Sequence, residues 1–178
     1  MRRGAAFLLG LLLVGTGRPT AALVCGEPSR LRHVSPWVGP AARAGPLWFV
    51  TGAVGPRAVV KLQPDYPAIV YPTKVLIYVR RRLRAGVSLQ GQRCSDGKPL
   101  HFWYRRYPDN IPSCTWCSPE ELEQIGDSVA TLAPGRPPIT SPALGPPGYM
   151  LFSGPGDWEV SVLRGGRVLG AAIIRTVP

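Results

Sequence analysis

Histidine is almost absent. The chain of 178 residues holds two, His33 and His101, and only 10 acidic side chains against 21 basic ones. Both shortages bear on catalysis. A nucleophile needs a base within reach, yet neither histidine stands in a recognisable motif and no Gly-x-Ser-x-Gly elbow exists. Glu120, Glu121 and Glu123 are the densest carboxylates, and they read as first-turn charges that suit a helix dipole. Glu159 alternates outward along a strand. Hydrolysis is therefore not expected, and no catalytic residue, resident cofactor or metal is assigned.

A long apolar run is also missing. Ala5 to Val14 is well short of the roughly 20 residues a membrane-spanning helix needs. With Arg2 and Arg3 before it and Thr20-Ala21-Ala22 behind, the run has the layout of a secretory signal peptide. Residues 1–22 are expected to be removed, leaving Leu23 as the new N-terminus and an exported protein, secreted or held in the extracytoplasmic envelope. Cys25 lies close behind, which raises lipid anchoring. A lipoprotein signal carries Leu three residues before the cysteine and Gly or Ala directly before it. Ala22 and Val24 occupy those positions, so anchoring at Cys25 is not expected.

Internal repeats and a β-α alternation are absent as well. Residues 23–178 make one domain, long enough for a core. Glycine and proline, 21 of each, are scattered between apolar runs, which favours an all-β protein rich in turns.

Export sets how the four cysteines are read. Cys25, Cys94, Cys114 and Cys117 are expected to form two disulfides in an oxidising compartment, in any of three pairings. A zinc site from Cys94, His101, Cys114 and Cys117 has ligand spacing in its Cys-x-x-Cys half only. The same Cys114/Cys117 pair supports a thiol–disulfide redox reading, because a helix start lowers the pKa of a nearby thiol. That start is Ser118-Pro119-Glu120-Glu121, with cap, first-turn proline and capping box in agreement. The helix ends near Gly126. In thioredoxins, however, the pair sits inside the first turn.

The alternating segments read as strands. "PLWFVTG" (46–52) is a short buried strand and "AVVKL" (58–62) a weaker one. In "TKVLIYVRRRLRAG", Val75, Ile77 and Val79 share one face. "GVSLQGQRC" (86–94) reads as the return strand of a hairpin with it. "HFWYRRY" concentrates Phe102, Trp103, Tyr104 and Tyr107, as a strand or as an exposed patch for carbohydrate or peptide, with core packing of some of these rings the commoner fate. Pro134 to Gly148 is a loop. In "GPGDWEVSVLRGGRVLGAAIIRTV", Gly165-Gly166 supplies a two-residue hairpin turn. Pairing Arg164 with Arg167 puts Leu169, Ala171 and Ile173 on the face of Trp158, Val160 and Val162, with Ile174 outward.

Positive charge is carried almost wholly by arginine; the lysines are Lys61, Lys74 and Lys98. Arg2, Arg3 and Arg18 precede residue 23, so 18 basic and 10 acidic residues follow the expected cleavage. Arg80, Arg81, Arg82 and Arg84 read first as a solvated strand end that blocks edge-to-edge association. The competing reading is a patch for anionic groups. No aromatic residues interleave with these arginines in sequence, as a single-strand nucleic-acid platform requires, so nucleic acid is not an expected partner.

The segment "YMLFSGPGDWEVSVLRGGRVLGAAIIRTV" (149–177) resembles the closing hairpin of a largely uncharacterised family of exported bacterial proteins. In that family a Gly-x-Gly-x-Trp-Glu-Val motif leads into the last strands of an immunoglobulin-like sandwich. "PLWFVTG" and "TKVLIYVRRR" stand where the family places earlier strands. The resemblance implies a fold and a compartment, not an activity. The family motif carries a cysteine directly before the tryptophan; here that residue is Asp157, so a disulfide through that position is absent.

The expectation is thus an all-β, immunoglobulin-like antiparallel sandwich with one short helix in a long loop insertion. It is an exported, non-catalytic module for binding or structural support. Its partner class is open among an envelope polymer, an anionic lipid surface and another exported protein.

Overall fold

Short runs that alternate apolar and polar residues can bury only one face each, so two sheets must meet. A computed structural model describes residues 25–35, 39–53, 55–62, 74–103, 127–134 and 148–178. Eleven strands are found there: β1 (Arg32–His33), β2 (Pro40–Ala44), β3 (Leu47–Val50), β4 (Val59–Lys61), β5 (Lys74–Tyr78), β6 (Val87–Arg93), β7 (His101–Trp103), β8 (Val129–Leu132), β9 (Gly148–Leu151), β10 (Gly156–Arg164) and β11 (Arg167–Val177).

One sheet has the order β1-β2-β3-β5-β9-β7 and the other β4-β11-β10-β6-β8. All pairings are antiparallel except β4 with β11. The described part of the chain is an all-β sandwich. Its inner strand orders, β3-β5-β9-β7 against β11-β10-β6, follow the A-B-E-D and G-F-C orders of immunoglobulin domains. The core lies between the sheets. Phe49, Val75, Ile77, Phe102, Met150 and Phe152 come from one side, and Leu89, Leu132, Trp158, Val160, Val162 and Ile174 from the other. The helix expected at Ser118–Gly126 and most of the Pro134–Gly148 loop lie outside the described residues.

Three sequence expectations change. First, β5 and β6 are not a hairpin. β5 pairs with β3 and β9, and β6 with β10 and β8, in the opposite sheet. The segment between them crosses the end of the sandwich. Leu83, 5% exposed, joins the core cluster and anchors the crossing. Alternation alone assigned each strand a face; it could not say which sheet the face belongs to.

Second, the C-terminal register slips. Arg164 does oppose Arg167, across a turn whose two glycines have φ of 53° and 80°; this geometry favours glycine and matches strand twist. A bulge follows, however: Leu163 opposes Val168, but Val162 opposes Gly170. The extra residue, Leu169, shifts the side-chain parity by one. Ile174 and Ala172, not Ile173 and Ala171, therefore join Trp158 and Val160 on the inner face. Gly170 shows why. A Cβ there would stand 2.4 Å from the Gly45 nitrogen, because the β2–β3 turn rests on β11 at this point.

Third, Glu159 does face the outer side of its sheet but is 5% exposed, and Ser161 Oγ donates to its Oε1 at 2.9 Å. Strands β1, β2, β8 and β9 have no counterpart in the sequence reading; β1 and β9 are short, at two and four residues. β2 was hidden by its Ala-Arg content within a proline-rich lead-in, and β8 is only four residues long.

The "GPGDWEV" block is a structural lock. Trp158 is fully buried. Its indole N–H donates to Thr176 Oγ1 at 3.1 Å, and the Thr176 hydroxyl donates to the Gly154 carbonyl at 2.8 Å. Phe152 meets the indole edge-on with centroids 5.6 Å apart. Asp157 holds Arg175 opposite it through bonds of 2.6 and 2.9 Å.

Candidate functional site

The two ends of the sandwich differ in kind. At one end Cys25 is joined to Cys94, directly after β6, with Cα atoms 5.8 Å apart. The neighbouring segment is sewn to β11: Ser29 N–H donates to the Ile173 carbonyl at 2.9 Å, and the Ile173 N–H donates to Ser29 Oγ at 2.9 Å. This pairing settles one of the three connectivities the sequence left open. It leaves Cys114, outside the described residues like Cys117, no cysteine within the chain but Cys117. It also removes Cys94 from any zinc site. Among the described residues no three His, Cys, Asp or Glu side chains gather as a metal site. His33 in β1 and His101 in β7 stand at opposite edges of one sheet.

Beside the disulfide, Arg93 lies over the Trp158 ring, its guanidinium 5.5 Å from the centroid. Its Nε donates to Asp96 Oδ1 at 2.9 Å, with a second bond from Nη2 to Oδ2. That pairing, helped by the Lys98 N–H, holds the Asp96 carboxyl down to about 2. The same bonds raise the Arg93 guanidinium above its ordinary value.

The other end is an arginine groove of about 470 Å³, lined by Arg43, Gly45, Pro46, Trp48, Arg80–Arg84 and Arg164. Three connections build it. The β2–β3 turn brings Arg43 and Trp48. The β5–β6 crossing brings Arg80, Arg81, Arg82 and Arg84, all exposed, on either side of the Leu83 anchor. The β10–β11 hairpin brings Arg164. Six arginines and no carboxylate are among the described lining residues. Arg43 is held in place: its Nε donates to the Gly45 carbonyl at 3.0 Å, and its guanidinium lies 5.6 Å from the Trp48 ring centroid. Seven residues of β6 separate the crossing from Cys94, a strand of roughly 20 Å.

Of the residues singled out in sequence, Arg80, Arg81, Arg82 and Arg84 come together here. Arg43, Trp48 and Arg164 were not foreseen, because they arrive from segments distant in sequence. The aromatic surface needs correction at Phe102, which is 1% exposed and packs in the core. Its alternation with His101 on β7 turns it inward, so it cannot face a ligand. Trp103 ends β7 opposite Tyr149. Tyr104 and Tyr107 lie outside the described residues.

No family model and no curated protein matches the chain. Among solved structures, a crystal structure of a putative lipoprotein from Bacillus anthracis aligns over 85% of this chain and 86% of its own, at 12% identity and a TM-score of 0.43.

Proposed function

We propose that this chain is an exported, non-catalytic β-sandwich of the cell envelope or its surroundings, related to the family it resembles, that binds an anionic partner. The observation that carries the binding reading is the convergence of six arginines from three separate connections without a lining carboxylate. Like charges repel, so gathering them costs stability unless a counter-charge arrives. In strand lettering, the β5–β6 crossing and the β10–β11 hairpin are the B–C and F–G connections. In immunoglobulin variable domains those connections carry the binding loops; this is a fold-level analogy.

The disulfide supports export, since such bonds persist in oxidising compartments. It also bears on anchoring. The Cys25 sulfur is spent on Cys94, and a sulfur in a disulfide cannot also carry the thioether of a lipid anchor. The protein is therefore read as unlipidated at Cys25. The test has two parts. Cell fractionation should find the protein outside the cytoplasm, and without lipid label. Retention on an anionic resin should fall steeply with salt and be lost when Arg80, Arg81, Arg82 and Arg84 are replaced by Gln. Retention unchanged by those replacements removes the groove as the binding face.

One observation favours a second reading. With Cys25 and Cys94 bonded to each other, Cys114 and Cys117 are left as a potential vicinal redox pair. A readily reduced 114–117 bond that exchanges with thiol substrates would support it; a bond that resists mild reduction would end it.

A further inference from the structure

The groove is not uniform. All six arginines of the groove are exposed side chains, and their long stems carry rotamer freedom. Arg43 differs. Its Nε donates to the Gly45 carbonyl at 3.0 Å and its guanidinium carbon lies 5.6 Å from the Trp48 ring centroid, which tethers the side chain through one donor and leaves its terminal amino groups to serve a ligand. A guanidinium held this way gives up little entropy when it grips an oxyanion with two parallel bonds.

We propose that the groove holds a segment of a linear inorganic polyphosphate chain. Arg43 is the fixed fork for one phosphate, and Arg80, Arg81, Arg82, Arg84 and Arg164 neutralise its neighbours. The proposal rests on the anion-binding reading above and adds the ligand class. Charge density carries it. Six cations surround about 470 Å³, so a ligand must deliver several negative charges within a short length. Chains with a phosphate in every repeat do so. Polymers with one carboxylate per sugar ring bring less charge into the same space. A concave site also suits a chain better than a membrane: a flat lipid surface meets protruding side chains, whereas Arg43 is fixed beside the turn that lines the groove.

The experiment measures binding of the full disulfide-bonded chain to long-chain inorganic polyphosphate, to inorganic phosphate, to polygalacturonate and to phosphatidylglycerol vesicles. All are compared at equal anionic-group concentration. Polyphosphate is expected to bind far more tightly than the other three. Its log Kd is expected to depend on log salt with a slope of about 4, as when six charges are neutralised on a flexible strand. Arg43→Lys keeps the charge and loses the fork, and should weaken polyphosphate binding about tenfold. Trp48→Leu should weaken it several-fold by releasing Arg43. Thermal melting confirms that both variants fold.

Vesicles bound as tightly as polyphosphate would overturn the proposal in favour of a membrane surface, and polygalacturonate bound as tightly would overturn the phosphate assignment. Equal binding of inorganic phosphate, or an unchanged Arg43→Lys, would overturn the fixed-fork chain site while leaving a diffuse anion surface standing. Absence of salt-sensitive binding to all four probes would instead remove the anion-binding reading itself.

Discussion

Gly170 is the position where a single methyl group should say most about this fold. It opposes Val162 just after the β10–β11 bulge. An alanine Cβ there would lie 2.4 Å from the Gly45 nitrogen, 3.1 Å from its Cα and 3.2 Å from the Ala44 carbonyl carbon. All three are backbone atoms, so no side chain can swing aside. Overpacking of this kind costs about 1–3 kcal/mol, and a backbone-against-backbone clash belongs at the upper end. Replacing glycine by alanine also stiffens the unfolded chain, which returns about 0.4–1 kcal/mol. The net expectation is a loss of about 2 kcal/mol. For a domain of this size that is roughly 4–8 °C in Tm, at about 2–4 °C per kcal/mol. Gly52→Ala is the control, because a Cβ there meets nothing within 4 Å. It should leave stability unchanged or raise it slightly. Equilibrium unfolding followed by tryptophan fluorescence reads both. A Gly170→Ala protein as stable as Gly52→Ala would refute the seating of the β2–β3 turn on β11, and with it the explanation of the register shift.

The lock around the tryptophan should fail in steps. Trp158→Phe forfeits the Thr176 bond and should cost about 1–2 kcal/mol, and Trp158→Ala about 3–5 kcal/mol; denaturant midpoints separate them. The disulfide closes a loop of sequence separation 69, so replacing both Cys25 and Cys94 by serine should cost about 4 kcal/mol on the chain-entropy account, read by urea unfolding. Non-reducing peptide mapping should recover Cys25 with Cys94 and Cys114 with Cys117; any peptide joining Cys114 to Cys94 would contradict the structure. The carboxyl of Asp96 titrates at about 2 when folded, against 3.8 as its ordinary value. A depressed carboxyl contributes stability above its unfolded pKa and loses it as pH falls through the folded one. The stability difference between wild type and Asp96→Asn should therefore be constant above pH 4 and vanish as pH drops from there towards 2, by thermal melts across that range.

How far the sequence reaches is visible at single strands. The Val75-Ile77-Val79 face was legible because side chains in a strand alternate strictly, and all three are buried. The Arg164–Arg167 turn was legible because Gly-Gly at that spacing takes the positive φ angles a tight hairpin needs. The bulge at Leu169 was not, because its cause is the Gly45 backbone, more than a hundred residues earlier in the chain. Phe102 illustrates the same limit. Four aromatics in six residues suit a surface or a core, and only the packing of the two sheets shows that Phe102 turns inward.

By itself, then, the sequence determined the kind of protein: short alternating strands, plentiful turn residues, four cysteines and a cationic balance built from arginine. Those properties are local, and local sterics and composition decide them. Which sheet each strand joins, which cysteine meets which, and which arginines share a groove are long-range outcomes. Arg43, Arg80–Arg84 and Arg164 lie on three connections and become one site only when Leu83 draws the crossing over the end of the core. The apolar core made that choice, and the charges followed the chain.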